Sequence, residues 1–114
     1  MTDRELLELA ARAAGLEFDP TVQNKFGLLV VTEDAACQSD QKLWNPLTDD
    51  GDALRLAVKL SLWIGQHDDG VTVSDLYARI NHEGVEENFN NDPYAATRRA
   101  IVRAAAEIGK EKNK

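Results

Sequence analysis

The chain has 114 residues, which is the size of one ordinary domain and enough to bury a hydrophobic core without disulfides or a structural metal. Its composition, 43% hydrophobic and 29% charged, excludes a chain that is disordered throughout. A net charge of −7 argues against nonspecific binding to nucleic acid or to anionic membranes.

The charge is divided unevenly along the chain. Residues 94–114 carry six basic and two acidic side chains, whereas residues 1–93 carry seven basic and eighteen acidic ones. A basic C-terminal segment therefore follows an acidic body, and this asymmetry marks the segment as a candidate interaction face.

Cys37 is the only cysteine in the sequence, so no internal disulfide can form. The sequence has no signal-peptide pattern and no apolar run that approaches the roughly 20 residues of a membrane span. These features predict a protein of the reducing cytoplasm with no membrane association.

The first predicted helix begins almost at once. Thr2 is the expected N-cap, Glu5 completes a capping box, and Gly15 can end the helix in the left-handed conformation. The apolar residues at helical spacing form the predicted buried stripe: Leu6, Leu7, Leu9, Ala10, Ala13 and Ala14.

Two strands should follow the break at Asp19-Pro20. Residues 26–31 are rich in β-forming side chains, and residues 41–44 fit a short second strand. Pro46 ends that strand, because proline cannot donate a hydrogen bond to the ladder.

A second helix is predicted from Asp49 to Leu60. Thr48, Asp49 and Asp50 offer N-cap side chains, and acidic residues suit the positive end of a helix. Its apolar positions cover a wide face, which indicates a helix covered on more than one side: Leu54, Leu56, Ala57, Val58 and Leu60.

A β-hairpin is predicted next. Residues 61–67 form its first strand with Trp63 facing the core, and the turn at 68–70 uses Gly70 with a positive φ. Residues 74–81 fit either a continued strand or a short helix, and we favour extended structure.

The remaining sequence predicts an edge strand over residues 85–89 and a long third helix. Asp92 is the expected N-cap, Pro93 the first helical residue and Gly109 the end of the helix. The predicted buried stripe of this helix consists of Ala96, Ile101, Ala104, Ala105 and Ile108.

The resulting order of elements is α-β-β-α-β-β-(β)-α. Because the connections are short, this order predicts an α+β fold in which a small antiparallel sheet packs with three helices as a two-to-three-layer α/β sandwich. Residues 1–109 should form a single domain, and residues 110–114 a solvated C-terminal tail.

Three long motifs are TDRELLELAARAAGL at residues 2–16, WNPLTDDGDALRLA at 44–57 and DPYAATRRAIVRAAA at 92–106. Together they resemble a family of small bacteriophage and prophage proteins that have no established activity. The resemblance implies a compact α/β phage domain of the kind called an ABA sandwich, expressed in an infected bacterial host. It implies no catalytic residue, and segments 21–41 and 66–91 look individual to this chain.

Asp49, Asp50 and Asp52 form the densest group of carboxylates, and they can either bind a divalent metal or cap the second helix. Their spacing lacks the alternating ligands and the closing glutamate of an EF-hand. Helix capping is therefore the favoured interpretation, and neither a metal site nor a cofactor is predicted.

The two histidines and the cysteine are weaker candidates. His67 and His82, with Glu83 beside the latter, can form a metal or acid–base pair, but no HExxH pattern or cysteine pair accompanies them. Cys37 can act as a nucleophile with one of these histidines, but no motif surrounds it. Surface histidines and a free thiol are the favoured interpretations.

Arg98, Arg99 and Arg103 are the candidate binding residues of the third helix. Arg99 and Arg103 are four residues apart and share a face, so the group can bind a phosphate, a nucleic acid or an acidic partner. The alternative is internal pairing, either with Glu107 or with the acids of residues 49–52.

The sequence as a whole predicts a noncatalytic protein-binding module, a phage or prophage accessory protein that binds a host or phage protein in the bacterial cytoplasm. The first alternative is a nucleic-acid-binding protein that uses the basic C-terminal helix, which the net charge opposes. A small metal-dependent enzyme that uses Asp49, Asp50, Asp52 and a histidine is a further alternative. A homodimer is compatible with all three functions.

Overall fold

In the computed structural model, which describes residues 1–21, 24–31, 41–77, 79–80 and 83–112, three helices alternate with six strands. In chain order the elements are α1 (Asp3–Ala14), β1 (Glu17–Phe18), β2 (Leu28–Val31), β3 (Gln41–Trp44), α2 (Asp50–Leu60), β4 (Leu62–Gln66), β5 (Gly70–Asp75), β6 (Val85–Asn88) and α3 (Pro93–Lys112). This arrangement confirms the predicted α+β class. The described strands form two three-stranded antiparallel sheets, a first sheet of order β1-β2-β3 and a second of order β4-β5-β6.

Helix α1 has the caps that its sequence predicts. The Thr2 hydroxyl accepts a hydrogen bond from the Glu5 amide at 3.1 Å, which satisfies one free donor of the first turn. Gly15 adopts φ 73°, and the Leu16 amide donates to the Ala11 carbonyl at 2.9 Å. Both ends of the helix are therefore closed by local chemistry.

The first sheet differs from the prediction at its start. Strand β1 was not predicted, and β2 begins at Leu28 rather than at Phe26. The Asn24 carboxamide oxygen accepts a hydrogen bond from the Phe26 amide at 2.8 Å and folds the chain into a turn. Phe26 is consequently 62% exposed instead of lying in the sheet.

Helix α2 begins and ends as predicted, but its buried face is different. Leu54 and Val58 are 61% and 70% exposed, so the expectation that the helix is covered on more than one side is wrong. The buried residues occupy a single stripe: Asp52, Ala53, Leu56, Ala57 and Leu60. The burial of Asp52 beside the N-cap sets the rotation of the helix about its axis.

The second sheet is built around one apolar face. Val73 pairs with Ile64 on one side and with Val85 on the other, and this row faces the core. Trp63 has the opposite phase, pairs with Ser74 and is 51% exposed, so the prediction that it faces the core is wrong. Successive side chains of a strand alternate between faces, so Ile64 and Trp63 cannot both be buried on one face.

The turn of the hairpin also differs in detail. Gly70 lies in the extended strand β5 and does not take a positive φ. A Cβ atom at this position would stand 2.7 Å from the Glu87 carbonyl oxygen, so close pairing with β6 explains the glycine. The favoured extended structure holds for 74–75, a turn follows at 76–77, and residues 78, 81 and 82 lie outside the described residues.

Helix α3 is the central element of the core. It contacts α1, α2, β5 and β6, and its N-cap Asp92 accepts a hydrogen bond from the Ala95 amide at 3.0 Å as predicted. The helix continues through Gly109 to Lys112, so the prediction that Gly109 ends it is wrong. Its buried residues surround more than one face: Ala96, Ala100, Ile101, Val102, Ala104, Ala105, Ala106 and Ile108.

Gly109 is required for a close approach between helices. A Cβ atom built on it would lie 2.0 Å from the Leu9 carbonyl oxygen of α1. Since both atoms in this contact are bound to a helical backbone, neither can rotate away.

We expect Gly109→Ala to destabilise the protein by about 2 kcal/mol, because overpacking would outweigh the gain of about 1 kcal/mol in helix propensity. The matched control is Gly51→Ala in α2, where a Cβ would meet only the ends of the Arg55 and Asp49 side chains. That variant should change the free energy of unfolding by less than about 1 kcal/mol. Urea denaturation measures both, and equal stability of the two variants would contradict the proposed backbone contact.

Candidate functional site

An apolar cleft lies between α2, β4 and the beginning of α3. Its volume is about 450 Å³, and its mouth is open to solvent. The apolar lining residues are Ala53, Leu54, Ile64, Phe89, Pro93, Tyr94 and Ile101. The polar lining residues are Asp50, Gln66, His67, Thr97 and Arg98.

The turn before α3 positions one wall of the cleft. Asn90 and Asn91 adopt φ values of 49° and 72°, a left-handed conformation that asparagine tolerates better than most residues. The Asp92 amide donates to the Phe89 carbonyl at 2.8 Å, which closes the turn. Tyr94 therefore projects from the first turn of α3 at the cleft, where it is 71% exposed.

Two exposed side chains of α2 extend the apolar surface beyond the cleft. Leu54 lines the cleft, and Val58 follows it by one helical turn on the same face. We call the cleft together with Leu54, Val58 and Tyr94 the docking surface. The sequence pattern does not locate this surface, although an apolar face on α2 wider than one buried stripe indicates apolar residues that remain exposed.

Arg98 is the one predicted binding residue that lies in this cleft. Its Nε donates to the Leu47 carbonyl at 2.8 Å, and its Nη1 lies 2.6 Å from an Asp50 carboxylate oxygen. The side chain is only 18% exposed. Arg98 therefore joins α3 to the beginning of α2, which agrees with the predicted alternative of pairing with the acids of that segment.

Arg99 and Arg103 line a different recess, of about 210 Å³, beside Met1 and Lys110. Arg99 pairs with Asp3 at 3.2 Å, and Arg103 pairs with Glu87 and donates to the Glu86 carbonyl. The predicted partner of Arg103, Glu107, instead pairs with Lys110 at 2.9 Å.

The three candidate arginines are thus divided between two places. Arg98 lies in the apolar cleft, while Arg99 and Arg103 lie at the other recess, 42% and 40% exposed respectively. All three have carboxylate partners. Their charge is therefore already balanced in part within the protein.

The acidic residues of the α2 N-terminus accept from several groups of the protein, and Arg55 lies near both Asp49 and Asp52. Asp49 accepts a hydrogen bond from the Asp52 amide at 2.8 Å and is the N-cap. Asp52 is 4% exposed and accepts from the Asn45 amide and from Arg55, at 3.0 and 2.8 Å. These contacts support capping, and among the described residues no group of three potential metal ligands converges.

Of the histidine and cysteine candidates, His67 alone lies within the described residues. His67 Nε2 lies 2.9 Å from the Thr72 hydroxyl on the neighbouring strand. His82 and Cys37 lie outside the described residues, so the predictions that involve them stay predictions.

The strongest shift in pKa occurs away from the cleft, at Asp75. Two charge-assisted hydrogen bonds from Arg79, at 2.7 and 2.9 Å, lower the pKa of the Asp75 carboxyl to about 2. The Asp75 side chain is inaccessible to solvent, and it also accepts from the Tyr77 amide at 3.0 Å. Arg79 in turn donates to the Leu60 carbonyl at the end of α2. This ion pair holds the turn after β5 against α2, which is a structural role.

No protein-family model, curated protein or solved structure matches the chain. Within the described ranges, no helix combines the length and the apolar character needed to cross a membrane.

The capping interpretation predicts unequal effects of two substitutions at the start of α2. Asp52→Ala should lower the free energy of unfolding by about 2–3 kcal/mol, because it leaves a part-buried amide and two cations without their acceptor. Asp50→Ala should cost about 1 kcal/mol or less, since that carboxylate is 72% exposed. Thermal unfolding measures both. A midpoint raised by Mg²⁺ or Ca²⁺ in the wild type, but not in either variant, would contradict capping.

The Asp75–Arg79 pair predicts a stability that depends on pH. Because folding lowers the pKa of Asp75 to about 2, the pair contributes ~2 kcal/mol that is fully present above the unfolded value near 4 and is lost as the pH falls toward 2. Asp75→Asn should therefore be less stable than the wild type at pH 6, and the difference should shrink at acid pH.

Urea denaturation between pH 6 and pH 2.5 measures this difference. The control is Asp69→Asn, an exposed carboxylate in the β4–β5 turn, which should change stability by less than about 0.5 kcal/mol. A difference between the wild type and Asp75→Asn that stays constant with pH would contradict the assignment.

Proposed function

We propose that this protein is a noncatalytic protein-binding module, a phage or prophage accessory protein that binds a host or phage protein in the bacterial cytoplasm. The observation that carries the proposal is the docking surface: an apolar cleft continued by the exposed side chains of Leu54, Val58 and Tyr94. The phage origin rests on the resemblance of segments 2–16, 44–57 and 92–106 to the phage family.

The size of the docking surface favours a macromolecular partner. Leu54 and Tyr94 stand exposed at the open cleft, and Val58 continues the apolar area by one helical turn outside it. A small-ligand site, in contrast, encloses most of its ligand. Contiguous exposed apolar patches of this kind mark interaction sites on proteins that are otherwise charged. Exposed aromatic side chains such as Tyr94 are also the residues that contribute most to protein interfaces.

The polar residues of the cleft support binding more than catalysis. Asp50 and Arg98 are paired with each other, and His67 is hydrogen-bonded to Thr72. Groups held in this way position the walls of the cleft, whereas a catalytic acid or base must come within hydrogen-bonding distance of a proton of the substrate.

The nucleic-acid alternative has less support. Arg99 and Arg103 are partly exposed, but Asp3 and Glu87 accept from them, and the net charge of the protein is −7. A phosphate backbone would have to displace these carboxylates and approach an acidic surface.

A matched pair of double variants tests the proposed function. Leu54→Gln with Tyr94→Gln removes two side chains of the docking surface that are 61% and 71% exposed, so the fold should persist. Leu76→Gln with Tyr77→Gln is the control, since these residues are 65% and 70% exposed but do not line the cleft.

Tagged wild-type protein should capture one specific protein from uninfected or phage-infected bacterial lysate, at both low and high salt. Mass spectrometry identifies the captured protein. The control with Leu76→Gln and Tyr77→Gln should retain the captured protein. Leu54→Gln with Tyr94→Gln should reduce the amount captured at least about tenfold, as expected for loss of central apolar anchors. Circular dichroism checks that each variant folds. Equal retention by both variants, or no specific protein, would count against the proposed function.

A further inference from the structure

We infer that the docking surface binds a basic segment of its partner, in which an apolar anchor residue is flanked by lysine or arginine. This inference rests on the proposed function and adds the chemistry of the partner to it. The apolar part of the argument is the cleft itself, and the electrostatic part comes from three carboxylates that adjoin its lining residues in the chain.

Carboxylates adjoin the lining residues of the cleft at two places in the chain. Asp68 and Asp69 directly follow the lining residue His67, and the Asp69 carbonyl accepts a hydrogen bond from the amide of the lining residue Phe89 at 2.9 Å. On the other side, Asp92 immediately precedes the lining residue Pro93. All three aspartates are exposed.

These three charges have no ion-pair partner among the cations that the structure describes. Within the described part of the chain, no ion pair engages Asp68, Asp69 or Asp92. Asp92 is partly offset by the positive end of α3, which it caps. Asp68 and Asp69 lie in the β4–β5 turn and cap no helix.

The cation that lies in the cleft does not change this balance. Arg98 is paired with Asp50 and also donates to the Leu47 carbonyl, so its charge is used within the protein. His67 shares a hydrogen bond with Thr72. The charges beside the cleft that lack an ion-pair partner among the described residues are therefore negative, and complementary partners carry positive charge.

A second copy of the chain fits this surface poorly. Three partly exposed cations of α3 whose side chains the structure describes are already paired: Arg99 with Asp3, Arg103 with Glu87, and Lys110 with Glu107. The rest of its surface is acidic, with seven basic and eighteen acidic side chains over residues 1–93. Repulsion between like charges would oppose self-association at this site, so we assign the occupant to a different chain.

An unbiased peptide library tests the inference directly. The probe is a displayed library of random peptides of about 12 residues, long enough to cover a cleft and its rim. Selection uses the wild-type protein, and peptides that also bind Leu54→Gln with Tyr94→Gln are removed. We expect the enriched peptides to share an aliphatic or aromatic residue and at least two flanking lysines or arginines.

One enriched peptide then tests the role of the rim. Asp68→Asn with Asp69→Asn should weaken its binding about fivefold at low salt, and the difference should fade as salt screens the charges. The control, Glu5→Gln with Glu17→Gln, makes the same change in net charge at exposed residues outside the cleft, and it should change the affinity less than about twofold.

The outcomes separate the inference from the proposed function. Enriched peptides that are acidic or uncharged, but depend on Leu54 and Tyr94, would overturn the inference and leave the protein-binding function standing. Equal effects of the two charge-matched variants would also overturn it. Self-association that the Leu54 and Tyr94 substitutions abolish, measured by sedimentation, would assign the surface to a second copy. No enrichment together with no captured protein would overturn both proposals.

Discussion

The structure depends on the close packing of α3 against its neighbours. This helix contacts α1, α2 and the second sheet, and its alanines at 100, 104, 105 and 106 are fully buried. Alanine contributes little apolar area, but it loses no side-chain entropy on burial and lets backbones approach closely. Gly109 allows a still closer approach of two backbones, since not even a methyl group fits between it and the Leu9 carbonyl. The dispersion contacts of two backbones replace those of larger side chains.

Ion pairs connect this central helix to the rest of the protein. Arg98 reaches the beginning of α2, Arg99 reaches α1 and Arg103 reaches β6, so each arginine joins α3 to a different neighbour. Exposed pairs contribute little stability individually. Their main consequence is that the charges of these three arginines are balanced internally, while Asp68 and Asp69 of the hairpin turn have no ion-pair partner among the described residues.

The docking surface follows from the same packing. Burial of Asp52 and Ala53 fixes which side of α2 faces the core, and Leu54 and Val58 are then left on the outside. The N-terminal turn of α3 leaves Tyr94 exposed beside them. An apolar surface beside carboxylates that lack an ion-pair partner is complementary to the basic, apolar segment that we propose as its occupant.

Local chemistry was sufficient to predict the helix boundaries at Thr2, Gly15, Asp49 and Asp92, because a cap is a contact between residues three or four positions apart. The α+β class also followed from the order of elements. The sequence could not show that the strands divide into two sheets, that Trp63 faces outward or that α3 continues past Gly109, since each depends on residues distant in the chain. The candidate arginines were identified from the sequence, but their partners were not all predicted, and the docking surface was missed. Periodicity shows how many apolar residues a helix has, whereas only tertiary packing decides which of them are buried.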